Sequence, residues 1–398
     1  MDLDRFVAPE TGDLVRITGS DPVTGPWEHR AFVPVPLPDT VPQLSVATWL
    51  QITRASEALA RLDATATRLP NPRLLRAPVL RSEAQSTSAL EGTHATLDEV
   101  LATDEDRPET EALTEILNYV TMAEHGYGWV EAGRPVTRTL LEQLQGSLMR
   151  GTRQEPVSGR LRDHQVVIGR RDDAPAGANQ AEASRFVPCP PGDQLDAGVQ
   201  ALVTWLQQEH PQIPPVAQAA MAHYQFETLH PFAGGNGRLG RFLIVLSLVQ
   251  TGLLREPTIS VSGWFEARRR EYYDRLLAVS CETAWDAYLG FFAEGLRASA
   301  TATLQQMRAL VDVQAELHDL LRASPLRAKT APTVVDFALA NPSFTVRAAE
   351  AGTGLTYQQV NRVVAQLLDL GVLAEVNATR SRNRRYFAPR VWEVLRAD

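Results

Sequence analysis

The chain is expected to be mainly α-helical, and three observations carry that expectation. Apolar residues recur at helical spacing through most of its 398 residues. Proline and glycine fall at the ends of those runs, where helices start and stop. In the body, Val166-Val167-Ile168 and Arg185-Phe186-Val187 are the segments that read best as strands. At this length the chain can bury substantial cores and should hold two or three domains.

Taken in order, residues 1–45 are rich in Pro, Gly, Asp and Thr and read as irregular structure with short β-prone pieces such as Ala31-Phe32-Val33-Pro34-Val35. From Val46 to Arg68, Trp49, Ile52, Leu59 and Leu62 share a helical face. Pro70-Asn71-Pro72 breaks that helix, and a second is expected after Pro78. Helices follow over Pro108–Ala132, with Gly133 just past the end, and over Thr137–Met149. The Ala/Asp/Gly-rich segment between the two strands reads as a loop. Pro214-Pro215-Val216 through Leu229 reads as a helix with Pro in its first turn, and Arg238 to Gly252 as another. After Gly295 a long helical stretch runs through Leu304, Leu310, Leu317 and Leu321 to Ser324-Pro325. Three short helices then follow at Thr333–Leu339, Thr345–Ala351 (Thr345 as N-cap) and Tyr357–Leu370. A hairpin pairs Val372–Val376 with Arg385-Tyr386-Phe387 and carries Arg380, Arg382, Arg384 and Arg385 near its tip.

Composition narrows the function classes. Near the motif discussed below, the longest unbroken apolar stretch, Phe242 to Leu246, is far short of the ~20 residues a membrane span needs. The opening Met1-Asp2-Leu3-Asp4-Arg5 does not read as a secretory signal. Two cysteines, Cys189 and Cys281, make neither a disulfide framework nor a metal-ligand spacing and suit a reducing cytosol, so a cytoplasmic protein is expected. Net charge is −8, unevenly divided: residues 322–398 hold eleven basic against six acidic side chains. An acidic body carrying a basic module is the expected arrangement.

The chemistry is concentrated in His230-Pro-Phe-Ala-Gly-Gly-Asn-Gly-Arg238-Leu-Gly-Arg241. A histidine ends one helix, a glycine-rich turn follows, and a second helix opens with arginines in its first turn. Glycines allow the backbone to turn sharply and approach a ligand. The N–H groups and macrodipole at the start of the second helix favour an anion. The pattern points to a phosphate cradle, with Arg238 and Arg241 as donors and His230 as a base at its edge.

That string resembles the signature of the Fic family, His-x-Phe-x-(Asp/Glu)-(Ala/Gly)-Asn-(Gly/Lys)-Arg-x-x-Arg. His230, Phe232, Gly235, Asn236, Gly237, Arg238 and Arg241 match, whereas Gly234 stands where the family carries an acidic residue. Arg81 to Gly92 is similar to the family's inhibitory helix, with Thr87, Glu91 and Gly92 at its motif positions. Gly159-Arg160-Leu161-Arg162 through Gly169, with Phe186-Val187-Pro188, is similar to the family's flap hairpin, placing Val166, Val167 and Ile168 in the flap. Tyr272-Tyr273 and the Trp285, Tyr288, Phe291 helix also look familial. The implied fold is an all-helical Fic core with a small β-hairpin flap, followed by a winged helix-turn-helix. The expected domains are 1–110 with the inhibitory helix at about 81–92, 111–300 as the Fic core, and 301–398 as linker helix and winged helix.

The resemblance implies transfer of AMP from ATP to a Ser, Thr or Tyr hydroxyl of a target protein or of the chain itself. His230 would be the base, Gly235, Asn236 and Gly237 the anion hole, with the Asn236 side chain helping, and Arg238 and Arg241 the β- and γ-phosphate ligands. Phe232 is expected to pack in the core and fix His230. Glu91 would pair with Arg241 and block productive seating of the γ-phosphate. The family's acid holds Mg²⁺, so Gly234 leaves three outcomes open: metal held by phosphates and another carboxylate, Glu227 being a candidate; another donor or slow metal-free transfer; or nucleotide binding without turnover. A nucleotide-binding Fic protein with weak or altered transferase activity is the expectation. The alternative is a catalytically impaired, nucleotide-sensing regulator that binds duplex DNA through the third C-terminal helix and the wing. A homodimer is compatible with either, as is a protein-interaction role for the C-terminal module. A zinc site built on His223, Glu227 and His230 lacks a recognisable pattern.

Overall fold

The computed structural model describes residues 1–21, 25–67, 73–103, 108–324, 329–376 and 384–397. It is mainly helical, as expected, with three small sheets. The N-terminal region departs from expectation: instead of irregular structure with short β-prone pieces it forms an antiparallel hairpin of two ten-residue strands, β1 (Gly12–Asp21) against β2 (Gly25–Pro34). Side chains of β2 alternate between partly buried and exposed before entering the core at Ala31 and Phe32. One solvated face and scattered Gly and Pro weaken the alternation that marks a strand.

Helices α1 (Val46–Ala66) and α2 (Arg73–Leu90) follow. Pro78 lies inside α2 rather than ahead of it. Next come α3 (Leu97–Ala102), which opens on a Thr96/Glu99 capping box, α4 (Glu111–Glu131), and α5 (Arg138–Leu148), capped by the Thr137 hydroxyl. The strands expected to form the flap are β3 (Ile168–Arg170) and β4 (Ser184–Phe186), with the one-turn α6 (Gln180–Ala183) between them. Val166 and Val167, expected in the strand, precede it; pairing begins at Ile168 opposite Phe186. Then follow α7 (Asp193–Gln207), α8 (Pro215–Leu229), α9 (Asn236–Gln250), α10 (Ser262–Glu266), α11 (Arg269–Glu282) and the 39-residue α12 (Trp285–Ala323). The C-terminal order is α13 (Ala331–Ala340), β5 (Phe344–Thr345), α14 (Val346–Thr353), α15 (Tyr357–Asp369), β6 (Ala374–Glu375), β7 (Arg385–Phe387) and α16 (Pro389–Arg396).

Contacts divide the chain into two compact units. The first comprises Met1–Glu57, Thr121–Leu254 and Trp264–Arg297. At its centre α8 packs on α9, and α9 is buried all round except near its C-terminal end, as befits an apolar helix inside a core. Beside them β2 closes on the flap: Phe32 N–H donates to Val187 O, and Phe32, Phe186, Leu277 and Cys281 share one apolar cluster.

The second unit comprises Ala58–Val120, Arg255–Gly263 and Ala298–Asp398. Within it α13 packs against α2, and Arg396 makes a two-pronged ion pair with Asp98 at 2.6 and 2.8 Å. The buried Glu83 carboxylate on α2 accepts from Val261 N, Ser262 N and both serine hydroxyls at 260 and 262. Helices α13, α14 and α15 stand beside a three-stranded antiparallel sheet of order β5-β7-β6. Thr345 caps α14 as expected, and Val360, Val363, Val364 and Leu367 of α15 face inward. Arg380 and Arg382 lie outside the described residues. Arg384 pairs with Glu375 at 3.0 Å, and Arg385 donates to the Ser343 carbonyl and hydroxyl, so both described arginines of this group are tied into the module.

Candidate active site

Helix α8 ends on His230, whose backbone adopts a left-handed conformation (φ 48°, ψ 60°) while its N–H still closes the helix on Phe226 O. A non-glycine residue in this region costs of order 1–3 kcal/mol and persists where its surroundings over-determine it. Arg162 supplies those surroundings. Almost fully buried, it donates from Nε to His230 O at 2.8 Å, from Nη1 to His164 O at 3.1 Å, and from Nη2 to the carbonyls of Cys189 and Leu229. Its own N–H reaches Pro231 O at 3.0 Å. Burial lowers the Arg162 guanidinium to about 10, so it remains a cation at neutral pH. One side chain thus gathers the carbonyls at the end of α8 and fixes where His230 leaves the helix.

The following loop is braced by Asn236. Phe232 N–H donates to Asn236 Oδ1 at 2.9 Å, and Asn236 Nδ2 donates to Phe232 O at 2.8 Å. The Asn236 side chain thereby shapes the loop. Phe232 is fully buried against Phe226, in the core as expected. Gly235 (φ +76°) is the left-handed residue from which α9 starts, and it lies where a methyl group would meet Leu148 Cδ2 at 2.9 Å. A helix leaves its first N–H groups without intrahelical partners. In α9 these belong to Asn236, Gly237 and Arg238, at the positive end of the dipole. Arg238 and Arg241 follow on the same helix, both buried.

Beneath the loop lies a polar contact that the sequence did not single out. His223 of α8 bonds through Nδ1 to Gly240 O at 2.9 Å and through Nε2 to the Tyr272 hydroxyl at 2.6 Å. Burial drives His223 down to about 3, with the Arg241 charge adding to it, so the ring is neutral. With both nitrogens engaged it is no metal ligand, which removes the zinc arrangement. Tyr272 is raised well above its ordinary value, first by burial and then by the Glu227 charge. Glu227 lies over Gly240, where a methyl would meet its Cδ at 3.1 Å.

Gly234 has an ordinary backbone conformation, and the space its side chain would occupy is filled. A methyl there would fall on the Gln154 carboxamide, whose oxygen is the nearest atom, with Cδ at 2.6 Å and Nε2 at 2.8 Å. Gln145, buried on α5, links the two segments: Nε2 donates to Gly234 O at 3.1 Å, and Oε1 accepts from Gly159 N–H at 2.6 Å. The residues present do not fit the resident Mg²⁺ implied for this position. Gly234 offers no carboxylate, a neutral amide takes its place, and among the described residues no three His, Cys, Asp or Glu side chains come together.

The remaining expected residues lie in the second unit. Thr87 is buried on α2; Glu91 and Gly92 follow the helix end, exposed, with Gly92 left-handed (φ +87°) as a helix-terminating residue. Cys189 and Cys281 are buried free thiols, pushed up by burial to about 11 and about 12.

His230, held by Arg162, thus stands beside the N-terminus of α9, and comparison with known proteins identifies the family. Residues 49–128 match the Fic/DOC family N-terminal model and residues 135–248 the Fic/DOC family model. The chain is a Fic domain protein. It is 32% identical over 180 residues to the protein adenylyltransferase Fic of Drosophila virilis, covering 42% of this chain and 36% of that one. It is 35% identical over 96 residues to the protein adenylyltransferase fic-1 of Caenorhabditis elegans, covering 23% of this chain and 19% of the other. The chain thus spans well under half the length of these relatives. A crystal structure of a Fic family protein from Desulfovibrio desulfuricans superposes with a TM-score of 0.53 at 21% identity, covering 88% of this chain and 98% of that one. That likeness concerns the fold.

Proposed function

We propose that the chain is a Fic-type nucleotidyltransferase that moves AMP from ATP to a hydroxyl side chain of a target protein or of itself. The observation that carries this is the placement of His230, clamped by Arg162 at the edge of the first turn of α9. A target hydroxyl loses its proton to His230 as its oxygen attacks the α-phosphate; the new O–P bond forms, the bond to the β-phosphate breaks, and pyrophosphate leaves. First-turn N–H groups of α9 with Arg238 and Arg241 take up phosphate charge. Base assistance is typically worth ~10²–10⁴ in rate. No step is routed through a metal, because the site does not fit one.

Glu91, with Thr87 and Gly92, is proposed to hold this activity down by pairing with Arg241 in competition with the γ-phosphate. The test uses labelled ATP. Glu91→Gly should raise label transfer to the chain or to lysate proteins, and adding His230→Ala should remove it. Equal labelling of wild type and the double variant would overturn His230 as base.

A regulatory role with duplex DNA is favoured by a separate observation. The C-terminal elements run α13, β5, α14, α15, β6, β7, an order compatible with the expected winged helix-turn-helix, and α15 exposes Gln358, Gln359, Asn361 and Arg362, side chains suited to base edges. Loss of salt-dependent duplex binding by the full chain on Arg362→Ala would support this role. Absence of binding at low salt would move the module to protein interaction.

A further inference from the structure

The backbone that carries the carboxamide at the Gly234 position is held by the fold around it. Gln154 sits on the loop after α5, where its N–H donates to Thr152 Oγ1 at 3.2 Å and its carbonyl accepts from Val157 N–H at 3.1 Å. Gln145 fastens both the end of that loop, at Gly159, and Gly234 itself. The amide therefore stands beside the turn into α9, next to the N–H groups already assigned to phosphate.

The chemistry of that exchange is definite. A carboxylate facing a polyphosphate repels it unless a cation lies between them. A carboxamide carries no charge and has two N–H donors, so it meets a phosphate oxygen directly. On the assignment of the α9 turn as a nucleotide site, we propose that Gln154 is a phosphate-binding residue that replaces the acid-plus-cation pair, and that this chain binds ATP without a divalent cation. Charge neutralisation then falls to Arg238, Arg241 and the helix N-terminus.

Titration of the full-length chain with ATP, in excess Mg²⁺ and in EDTA, tests this directly. Wild type should bind within about threefold in the two buffers, and Gln154→Ala should weaken binding about tenfold in both, the loss of one hydrogen bond to a charged group. The Gly234→Asp/Gln154→Ala chain, which restores a carboxylate and clears its space, should bind ATP only with Mg²⁺. Wild-type binding that disappears in EDTA, or a Gln154→Ala chain that binds as wild type does, overturns the proposal and leaves the nucleotide site standing. ATP binding in neither buffer overturns both.

Discussion

The loop between α8 and α9 is built in two ways at its two ends. At His230 the support is deep: a buried arginine gathers the carbonyls at the helix end, Asn236 braces the turn, and His223 ties α8 both to α9 at Gly240 and to Tyr272 of α11. At Gly234 the neighbour is a surface residue, Gln154, on an exposed turn. The His230 end is thus fixed by groups whose loss leaves buried partners unsatisfied, whereas the Gly234 end is lined by an exposed side chain whose replacement costs the fold little.

The largest break of that contrast is Arg162→Met. It keeps much of the apolar stem and deletes donors to four carbonyls, those of His230, His164, Cys189 and Leu229. Leaving buried acceptors unpaired costs ~1–3 kcal/mol each, so a stability loss of about 3 kcal/mol or more is expected in urea denaturation. At temperatures where the variant is folded, transfer should fall further than ATP binding, because Arg162 positions the base and touches no phosphate. A parallel fall in both would reduce Arg162 to a general stabiliser.

How much of this was legible in sequence follows the same division. The α8–turn–α9 unit could be read because Pro215, Gly235 and the apolar runs are local signals, and the C-terminal helices because their inward valines and leucines keep helical spacing. Arg162 and Gln145 gave no such signal, since the partners that matter at the site, His230 and Gly234, lie 68 and 89 residues away and a buried polar side chain has no periodicity of its own. Gln154 was invisible for a second reason: an exposed glutamine among Gly, Thr, Arg and Pro looks like any loop residue until Gly234, with no side chain of its own, is seen beside it. The β1–β2 hairpin was missed because its solvent-facing Arg16, Glu28 and Arg30 dilute the apolar alternation.

An intermediate effect concerns pH. His223 is held neutral, near 3, by burial, while in the unfolded chain it titrates near 6.5. Below that value the unfolded state binds the extra proton, so stability is full above about pH 6.5 and falls as pH drops toward 3. Between pH 7 and pH 5 this single group should remove about 2 kcal/mol. Denaturant midpoints at the two pH values measure it, and His223→Gln, which cannot titrate, should lose less. An equal loss in both chains would assign the acid sensitivity to other groups.

The smallest expected effect is also the sharpest test of the contrast. Gly234→Ala places a methyl group on an ordinary backbone conformation against the free end of an exposed side chain, which can swing away. Its stability should stay within ~0.5 kcal/mol of wild type, the usual range for surface substitutions. Gly235→Ala, one residue later, forces a side chain onto φ +76° and into Leu148 and Met149, which the core does not let move freely. The left-handed conformation alone costs ~1–2 kcal/mol for a residue with a Cβ. Thermal unfolding of the pair should therefore separate two adjacent glycines by several degrees. If Gly234→Ala proves as costly as Gly235→Ala, Gln154 is pinned as firmly as His230, and the Gly234 end is no more adaptable than the His230 end.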